Sequence, residues 1–250
     1  MVTFNKEKNH WNNLKVGITG ANGSLGRSLI KSLRGKGAYI VGFTHGSNKE
    51  ETKNNDCPNE WVKWEAESNI TIEKYLLDID ILIINHGINE KGKQGLNEIN
   101  RSLKINALSS WRLIEIFEEI IKKNKPYTNH PKEIWINTSE AEIQPAFSPT
   151  YEISKRLLGE LVSLKWANRS KEDKRILIIR KLILGPFKSK LNPIGIMTSD
   201  FVASQIINQV DLNLNLIIIT PNPLTYILIP INELIRFIYN RVTREQENIL

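Results

Sequence analysis

The chain has 250 residues, of which 40% are hydrophobic and 24% are charged. This is enough for one sizeable domain and too little for two full ones, and the composition excludes a disordered or fibrous chain. Lys and Arg number 34 against 27 Asp and Glu, a net charge of +7. Because these basic residues are scattered along the chain rather than gathered in one tract, we expect no nucleic-acid partner.

The cysteine content, the N-terminal residues and the most apolar stretch of the chain indicate the expected compartment. The single cysteine, Cys57, excludes a disulfide framework, and the four histidines are not spaced as metal ligands, so we expect no metal site. Residues 1–13 form a polar N-terminal tail without the apolar core of an export signal. Prolines interrupt the apolar stretch 214–231 short of the roughly 20 apolar residues that a membrane span needs. We therefore expect a cytoplasmic protein.

Apolar, β-branched runs alternate with segments of helical periodicity along the chain. Strands are predicted over Leu14–Thr19, Ala38–Thr44, Trp61–Glu65, Asp80–Asn85, Glu133–Thr138, Arg175–Arg180 and Leu216–Thr220, and helices over Leu25–Arg34, Ser102–Lys122 and Tyr151–Arg169. Strands that are apolar on both faces and alternate with helices are typical of a parallel sheet covered on both sides. We predict one doubly wound α/β domain of about seven strands over residues 1–250.

A glycine-rich turn, TGANGSLG, follows the first strand and opens the first helix. Gly20 permits the tight exit from the strand, Gly23 lets the backbone approach a pyrophosphate, and Gly26 lets the helix pack closely on the sheet. The helix N-terminus then faces the phosphates with its partial positive charge. This turn predicts a Rossmann-like, dinucleotide-binding domain. Its expected phosphate-binding residues are Gly20, Asn22, Gly23, Ser24, Leu25 and Gly26.

The end of the second strand bears on the choice of cofactor. A carboxylate there would bind the adenosine ribose and repel a 2′-phosphate, but Thr44 and His45 are followed by Ser47 and Lys49, with no acid before Glu50. Small hydroxyls and basic groups suit a 2′-phosphate, so NADP(H) is favoured over NAD(H). The alternative is that Thr44 and Ser47 are loop residues without a role.

A candidate catalytic group starts the last predicted helix. Tyr151 and Lys155 lie one helical turn apart, and a nearby ammonium favours the phenolate, which would suit Tyr151 to proton transfer. Ser139 follows a strand, where its hydroxyl can bind the same substrate oxygen. Asn106, on the preceding helix, can hold a water that links Lys155 to solvent. Asn85, His86 and Gly87 end the fourth strand, where a compact turn lines the cofactor.

The ordered set TGxxGxxG, Asn-x-Gly, a helical Asn, Ser and YxxxK resembles the short-chain dehydrogenase/reductase family over almost the whole chain. The resemblance implies that Tyr151 is the acid/base and Ser139 its partner at the substrate oxygen. It also implies that Lys155 binds the nicotinamide ribose and that Asn106 completes a proton relay. Gly185 and Pro186, in the order reverse to the family's usual Pro-Gly, would form the nicotinamide-facing loop, with 187–199 as a candidate substrate lid.

Segments such as INHGIN (84–89), NTSEAE (137–142) and SPTYEISKR (148–156) further resemble the dehydrogenase half of bifunctional sterol desaturase/short-chain dehydrogenase proteins. The resemblance implies hydride transfer between NAD(P) and a small-molecule carbonyl or alcohol, and a homodimer or tetramer. Glu140 and Glu142 either border the substrate pocket or lie in a solvated loop. The C-terminal segment Leu224–Arg244 packs in the core or an oligomer, or else docks on a membrane surface or partner.

Two other functions stay open. One is a non-catalytic, NADP-sensing or scaffold protein of the same fold, although such a protein needs no intact set of Asn106, Ser139, Tyr151 and Lys155. The other is a sugar-nucleotide epimerase or dehydratase of the extended branch, which is disfavoured because few residues follow Pro186 to build a substrate domain.

Overall fold

The computed structural model describes residues 10–46, 55–66, 70–124 and 130–247. Its strands are β1 (Lys15–Thr19), β2 (Tyr39–Thr44), β3 (Glu60–Lys63), β4 (Ile81–Ile84), β5 (Lys132–Asn137), β6 (Leu177–Leu184) and β7 (Leu216–Ile219). They form one parallel sheet in the order β3-β2-β1-β4-β5-β6-β7. The order reverses between β1 and β4, the place where such sheets open a crevice for ligands at their carboxyl edge. The predicted doubly wound, seven-stranded Rossmann-like sheet is confirmed.

The helices connect these strands on both faces of the sheet. They are α1 (Ser24–Gly35), α2 (Ile70–Leu76), α3 (Leu96–Ser102), α4 (Ser109–Asn124), α5 (Pro149–Asn168), α6 (Lys171–Ile176), α7 (Ser199–Asp211) and α8 (Thr225–Glu247). A π-helical stretch, Leu103–Leu108, joins α3 to α4. In the part of the chain with described coordinates, no helix is both long and apolar enough to cross a bilayer.

The prediction of a strand over Arg175–Arg180 is wrong at its start. Ser170 and Asp173 form a capping box that nucleates α6, so Arg175 and Ile176 finish a short helix. The strand begins at Leu177 and extends to Leu184, farther than the apolar run alone indicated.

The central strands are buried on both faces, as their sequences predicted. Successive residues point to opposite sides, so Ile83 of β4 joins the core beneath α1 and α7, whereas Leu82 joins the core beneath α4 and α5. These two apolar cores cover both faces of the sheet. The residues that follow β4, β5 and β6 at its carboxyl edge can therefore form a site.

The predicted polar N-terminal tail is wrong at one residue, because Trp11 packs into the domain while His10, Asn12 and Asn13 are exposed. The Trp11 side chain is 3% exposed, its Nε1 donates to Asp211 Oδ1 at 3.0 Å, and its ring meets that of Trp135 edge to face. A buried indole needs a partner for its N–H, and Asp211 at the end of α7 supplies it. Residues 1–9 lie outside the described part of the chain.

Candidate active site

The glycine turn between β1 and α1 leaves no room for side chains. Gly20 has φ +64°, and a Cβ on it would lie 2.9 Å from the His86 Cα. A Cβ on Gly26 would lie 2.4 Å from the Gly20 carbonyl oxygen. Gly23 precedes the first turn of α1, so no side chain caps the backbone N–H groups at this helix end. The cradle therefore has the close backbone approach and the free donors that a pyrophosphate requires.

The other residues of the turn have separate roles. Leu25 is buried in the core beneath the turn, whereas Asn22 is exposed. Asn22 Oδ1 accepts hydrogen bonds from Arg27 Nε at 3.2 Å and Nη2 at 2.6 Å, and Arg27 Nη1 lies 3.5 Å from Asp56 Oδ2. Sequence reasoning did not single out Arg27, although its position directly after Gly26 was a usable signal. It places a guanidinium beside the phosphate cradle.

The end of β2 lies beside this turn, as the cofactor argument requires. The Ala21 N–H donates to the Phe43 carbonyl oxygen at 3.3 Å. Thr44 is buried and its Oγ1 accepts from the Gly46 N–H, and His45 is exposed. Ser47 and Lys49, which also entered the argument for NADP(H), lie outside the described residues. The preference for NADP(H) stays a prediction.

The loop after β4 is fixed to β1 through Thr19. Thr19 Oγ1 accepts from the Asn85 N–H at 3.0 Å and lies 2.9 Å from His86 Nδ1. His86 Nε2 lies 2.7 Å from Ser109 Oγ. The Ser109 hydroxyl donates to the Ile105 carbonyl at 2.7 Å, and the Thr19 hydroxyl donates to the Ile83 carbonyl at 3.3 Å, so each ring nitrogen of His86 lies against a hydroxyl oxygen that is itself anchored to the backbone.

His86 is therefore a neutral structural residue. Burial and, to a smaller extent, the charge of Lys155 lower its pKa to about 3, against the opposing effect of a hydrogen bond with the Ile105 carbonyl. Its ring also packs edge to face against Trp64 with centroids 4.9 Å apart. A ring held in this way lines the loop beside the cofactor cradle and does not act as a base near neutral pH.

Tyr151, Lys155 and Ser139 come together at the carboxyl edge of β5. Lys155 Nζ donates to the Asn137 carbonyl at 2.9 Å and lies 5.7 Å from the centre of the Tyr151 ring. Ser139 caps a 3-10 turn, Glu140–Glu142, and its hydroxyl hydrogen-bonds to the Tyr151 phenol. The predicted trio thus shares one cleft.

The titration of this trio differs from the sequence expectation in one respect. Burial raises the pKa of Tyr151, the hydrogen bond from Ser139 opposes that rise, and the Glu140 charge adds to it. Burial also lowers the pKa of Lys155 to about 8, against the attraction of Glu142. The expected lowering of the phenol pKa by Lys155 is therefore not seen, because burial sets the direction of the shift and Lys155 is not among the groups that oppose it.

Asn106 is fully buried in the π-helical stretch and ties three elements together. Its Oδ1 accepts from the Ile88 N–H at 2.7 Å, and its Nδ2 donates to the Ile88 carbonyl at 3.0 Å and to Ser154 Oγ at 2.9 Å. A Cβ on Gly87 would lie 3.1 Å from Asn106 Oδ1, so the glycine permits this approach. The amide therefore joins the loop after β4 to α5, and the predicted proton relay through Asn106 stays a prediction.

A buried ionic cluster beneath Ser139 was not predicted. Lys181 is fully buried, and its Nζ donates to Glu142 Oε2 at 2.6 Å and Glu233 Oε1 at 2.7 Å. The Glu142 side chain is only 5% exposed, so its interpretation as a solvated loop residue is wrong. Burial raises the Glu142 pKa, and the attraction of Lys181 lowers it. A lysine inside the apolar run of β6 was the signal that sequence reasoning passed over.

The loop after β6 closes this edge of the sheet. A Cβ on Gly185 would lie 2.4 Å from Thr220 Oγ1, and the Pro186 carbonyl accepts from the Ile196 N–H at 2.9 Å. Segment 187–199 thereby folds back on itself, with Phe187 bridging to Met197. It lies at the carboxyl edge, where a substrate lid belongs, and the lid role stays a prediction. In the described coordinates no group of His, Cys, Asp or Glu is arranged to hold a metal ion.

A glycine cradle at the first βα turn and a Tyr–Ser–Lys cleft at the same edge of a doubly wound sheet define a dinucleotide-binding α/β domain. Residues 16–162 match the NAD dependent epimerase/dehydratase family, and the chain belongs to this family. The match and the fold support a NAD(P)-dependent enzyme of the oxidoreductase type. The family includes epimerases, the class that the short region after Pro186 had disfavoured.

Individual relatives agree with this assignment. The chain is 40% identical over 230 residues to a monoglucosyldiacylglycerol epimerase of Synechocystis sp., covering 91% of this chain and 54% of that protein. Solved structures with the same fold include a short-chain dehydrogenase from Burkholderia cenocepacia in complex with NADP (TM-score 0.72, 12% identity, 88% of this chain and 92% of that one). Another is a short-chain dehydrogenase from Sphingobium yanoikuyae in complex with NADPH (TM-score 0.69, 15% identity, 84% and 88%).

These comparisons refine the resemblance drawn from sequence. The likeness to short-chain dehydrogenases is confirmed at the level of fold. The narrower resemblance to bifunctional sterol desaturase/short-chain dehydrogenase proteins is not supported, because the relative from Synechocystis sp. is an epimerase. The chain spans about half the length of that relative.

Proposed function

We propose that this protein performs NAD(P)-dependent hydride chemistry at a hydroxyl-bearing carbon of a glycolipid sugar, with epimerisation of that carbon as the net result. The supporting observation is that the Tyr151–Ser139–Lys155 cleft lies within a chain 40% identical to a monoglucosyldiacylglycerol epimerase over 91% of its length. A monoglucosyl lipid of the same kind is therefore the first substrate to test.

The cradle fits the dinucleotide that this chemistry needs. Any Cβ at Gly20 or Gly26 would meet backbone atoms at 3.0 Å or less, and the N-terminus of α1 offers backbone donors to a pyrophosphate. Bound NAD(P)⁺ supplies a carbon that accepts a hydride and can return it. We propose NADP(H) as the preferred form, since Thr44 and His45 leave the end of β2 without an acid and the guanidinium of Arg27, paired with Asp56 at 3.5 Å, lies beside the cradle.

Tyr151 moves the proton in this proposal. Its phenolate takes the hydroxyl proton of the sugar while the hydrogen on the same carbon leaves as hydride, and a ketone results. When the hydride returns to the opposite face of that ketone, the phenol gives the proton back to the oxygen, so no net oxidation remains. Burial that raises the Tyr151 pKa favours this return step, because it keeps the phenol a ready donor.

The neighbours of Tyr151 position the reacting oxygen and the cofactor. The Ser139 hydroxyl hydrogen-bonds to the phenol and can share the substrate oxygen with it. The Lys155 ammonium, held by the Asn137 carbonyl at 2.9 Å, would bind the nicotinamide ribose, the role that the family resemblance implies. Asn106 and His86 hold the loop after β4 in place, so that the cofactor side and the Tyr151 side of the cleft keep their separation.

The test is conversion of a monoglucosyldiacylglycerol in mixed micelles by purified protein with NADP⁺ or NAD⁺. The sugar is followed by NMR, with deuterium on the carbons of the glucosyl group. We expect a second epimer to appear, with deuterium retained at the inverted carbon, because the hydride returns to the carbon it left. Tyr151→Phe should lower the rate at least 10²-fold, the usual contribution of a general acid/base. Tyr39→Phe, at the start of β2, is the matched control and should keep full activity.

Other results would contradict the proposal in different ways. Accumulation of NADPH with an oxidised sugar and no epimer would indicate a dehydrogenase acting on the alcohol. Loss of deuterium to solvent would indicate proton abstraction from carbon instead of hydride transfer. Cofactor binding without any change in the sugar would favour the non-catalytic, NADP-sensing alternative.

A further inference from the structure

Helix α8 faces its polar residues toward the protein and its apolar residues toward solvent. Its inward stripe consists of Thr225, Ile229, Glu233, Arg236 and Asn240, at helical spacing. Two of these residues make buried or half-buried ion pairs, Glu233 with Lys181 and Arg236 with Glu160. This is the reverse of the usual surface helix, whose apolar stripe faces the core.

The outward face of α8 is almost entirely apolar. We call it the α8 face, and its residues are each between 43% and 69% exposed: Tyr226, Ile227, Leu228, Ile231, Leu234, Ile235, Phe237, Ile238, Tyr239 and Val242. At 100° per residue these positions occupy more than half of the circumference of the helix. An apolar stripe that packs against one neighbouring element is narrower, roughly 100° wide. The breadth of the α8 face therefore suits a broad apolar medium better than a single partner helix.

The mouth of the candidate active site carries a second set of exposed apolar residues. We call this set the apolar rim, and it consists of Leu96, Phe147, Leu191, Ile194, Ile196 and Leu224. Phe147 is 96% exposed and Ile196 is 75% exposed. Most of the rim lies on the connections that follow β4, β5, β6 and β7, and the carboxyl ends of parallel strands share one edge of the sheet.

Hydrogen bonds join the rim into one surface and connect it to α8. Asn89 Nδ2 donates to the Leu191 carbonyl at 3.3 Å, which links the loop after β4 to the 187–199 segment. Gln144 bonds to Asn222 and Thr225 at 2.6 and 2.9 Å, which links the loop after β5 to the start of α8. The α8 face thus begins at the mouth of the cleft that holds Tyr151.

Lysines stand among the rim residues. Lys91 and Lys93 are exposed on the loop after β4, and Lys188 and Lys190 are exposed on the segment after β6. Together with the net charge of +7, they make the rim complementary to a negatively charged surface. Exposed apolar residues interspersed with lysines are the combination by which proteins bind anionic bilayers.

We propose that the apolar rim and the α8 face form one docking surface for an anionic lipid bilayer, which brings a lipid headgroup to the mouth of the Tyr151 cleft. The evidence for the docking surface is the exposure and charge of its residues, whereas its link to a lipid substrate rests on the proposed function. Because α8 starts at the mouth, a bilayer against its apolar face lies directly beside the rim. The headgroup can then enter the cleft while its acyl chains stay in the bilayer.

The test is flotation of the full chain with vesicles of phosphatidylcholine alone and of phosphatidylcholine with phosphatidylglycerol. We expect binding to the anionic vesicles that weakens with salt. Ile231→Gln on the α8 face and Ile194→Gln on the rim should each weaken it about tenfold, because each removes one apolar anchor from the bilayer. Leu77→Gln, an equally apolar exposed site after α2, is the matched control and should bind like the parent chain. Cofactor affinity should stay the same in all three variants.

Two outcomes would overturn docking. One is absence of binding to anionic vesicles by the parent chain. The other is a dimer in sedimentation analysis that Ile231→Gln dissociates while vesicle binding stays unchanged, since a second copy would then cover α8. Failure of the proposed function is seen separately: Ile231→Gln, which lies outside the candidate lid, should keep activity on a water-soluble glucosyl glyceride with short acyl chains, whereas Tyr151→Phe should lose that activity and keep vesicle binding.

Discussion

Two buried lysines near the Tyr151 cleft differ in the charge of their partners, so their replacement by Met should have opposite effects on the free energy of unfolding. Lys155 is 5% exposed, and its Nζ donates to one neutral acceptor, the Asn137 carbonyl. Lys181 is fully buried between the carboxylates of Glu142 and Glu233. Met has a similar length and no charge. At position 155 it removes an ammonium that is buried against a neutral acceptor, and at position 181 it removes the ammonium that compensates the charges of Glu142 and Glu233.

The size of the effect at Lys155 follows from its titration. Burial lowers the pKa from 10.5 to about 8, which corresponds to a cost of about 3 kcal/mol for holding the ammonium in the folded state at neutral pH. Met removes this cost but leaves the Asn137 carbonyl without its donor, a loss of about 1 kcal/mol. We expect Lys155→Met to stabilise the cofactor-free protein by about 2 kcal/mol, or roughly 4–8 °C in Tm for a chain of this length.

The pH dependence gives an independent check. The folded pKa of Lys155 lies below the unfolded one, so between pH about 8 and 10.5 the unfolded chain binds more protons at this site. Stability contributed by this site therefore rises with pH across that window, and it is at its lowest below the folded pKa. The difference in stability between the parent chain and Lys155→Met should shrink as the pH rises from 7 to 10.

Denaturant unfolding of cofactor-free protein at several pH values measures both quantities. Lys181→Met is the contrasting variant, and it should lose about 3–5 kcal/mol because Glu142 and Glu233 would be left buried without their cation. If Lys155→Met were destabilised as much as Lys181→Met, or if its difference from the parent did not change with pH, the reasoning about Lys155 would be refuted.

Three further substitutions test the cradle and the cleft. Ser139→Ala removes the hydrogen bond that lowers the Tyr151 pKa, so the pH–rate profile should move to higher pH and kcat should fall about 10²-fold; an unmoved profile would argue against contact between the two hydroxyls. Gly26→Ala places a Cβ 2.4 Å from a carbonyl oxygen of the same turn and should abolish cofactor binding in a fluorescence titration, whereas Gly35→Ala, with open space around it, should bind normally. Thr44→Asp should shift the ratio of Kd values from NADPH toward NADH, and a constant ratio would contradict the role given to the end of β2.

Much of the fold could be predicted because it depends on local pattern. The apolar runs of β1, β4 and β5 and the glycine turn each act within a few residues, and parallel strands bring their carboxyl ends to one edge without further information. That rule places Ser139 at this edge, and the family resemblance placed it with Tyr151 and Lys155, which the structure brings together there. Two predictions were wrong for the opposite reason. The capping box of Ser170 and Asp173 makes 171–176 a helix, and the buried indole of Trp11 fixes that residue to the domain, although the surrounding composition indicated a strand and a polar tail.

The remaining features depend on contacts between distant positions. Nothing near Lys181 indicates that its ammonium meets Glu142 and Glu233, because those carboxylates arrive on other elements. The π-helical turn that aims Asn106 at Ile88 is likewise set by tertiary pairing. The orientation of α8 was also open, since an apolar helix has the same sequence pattern whether its apolar side faces the core or the outside.

Cofactor titration tests whether the glycine turn and the Tyr151 cleft form a NAD(P)-dependent centre. Purified protein is titrated with NADPH and, separately, with NADH, while nicotinamide fluorescence and thermal unfolding are recorded. We expect saturable binding with a matching rise in Tm, tighter for NADPH than for NADH. Binding of neither nucleotide, with the protein folded, would contradict it.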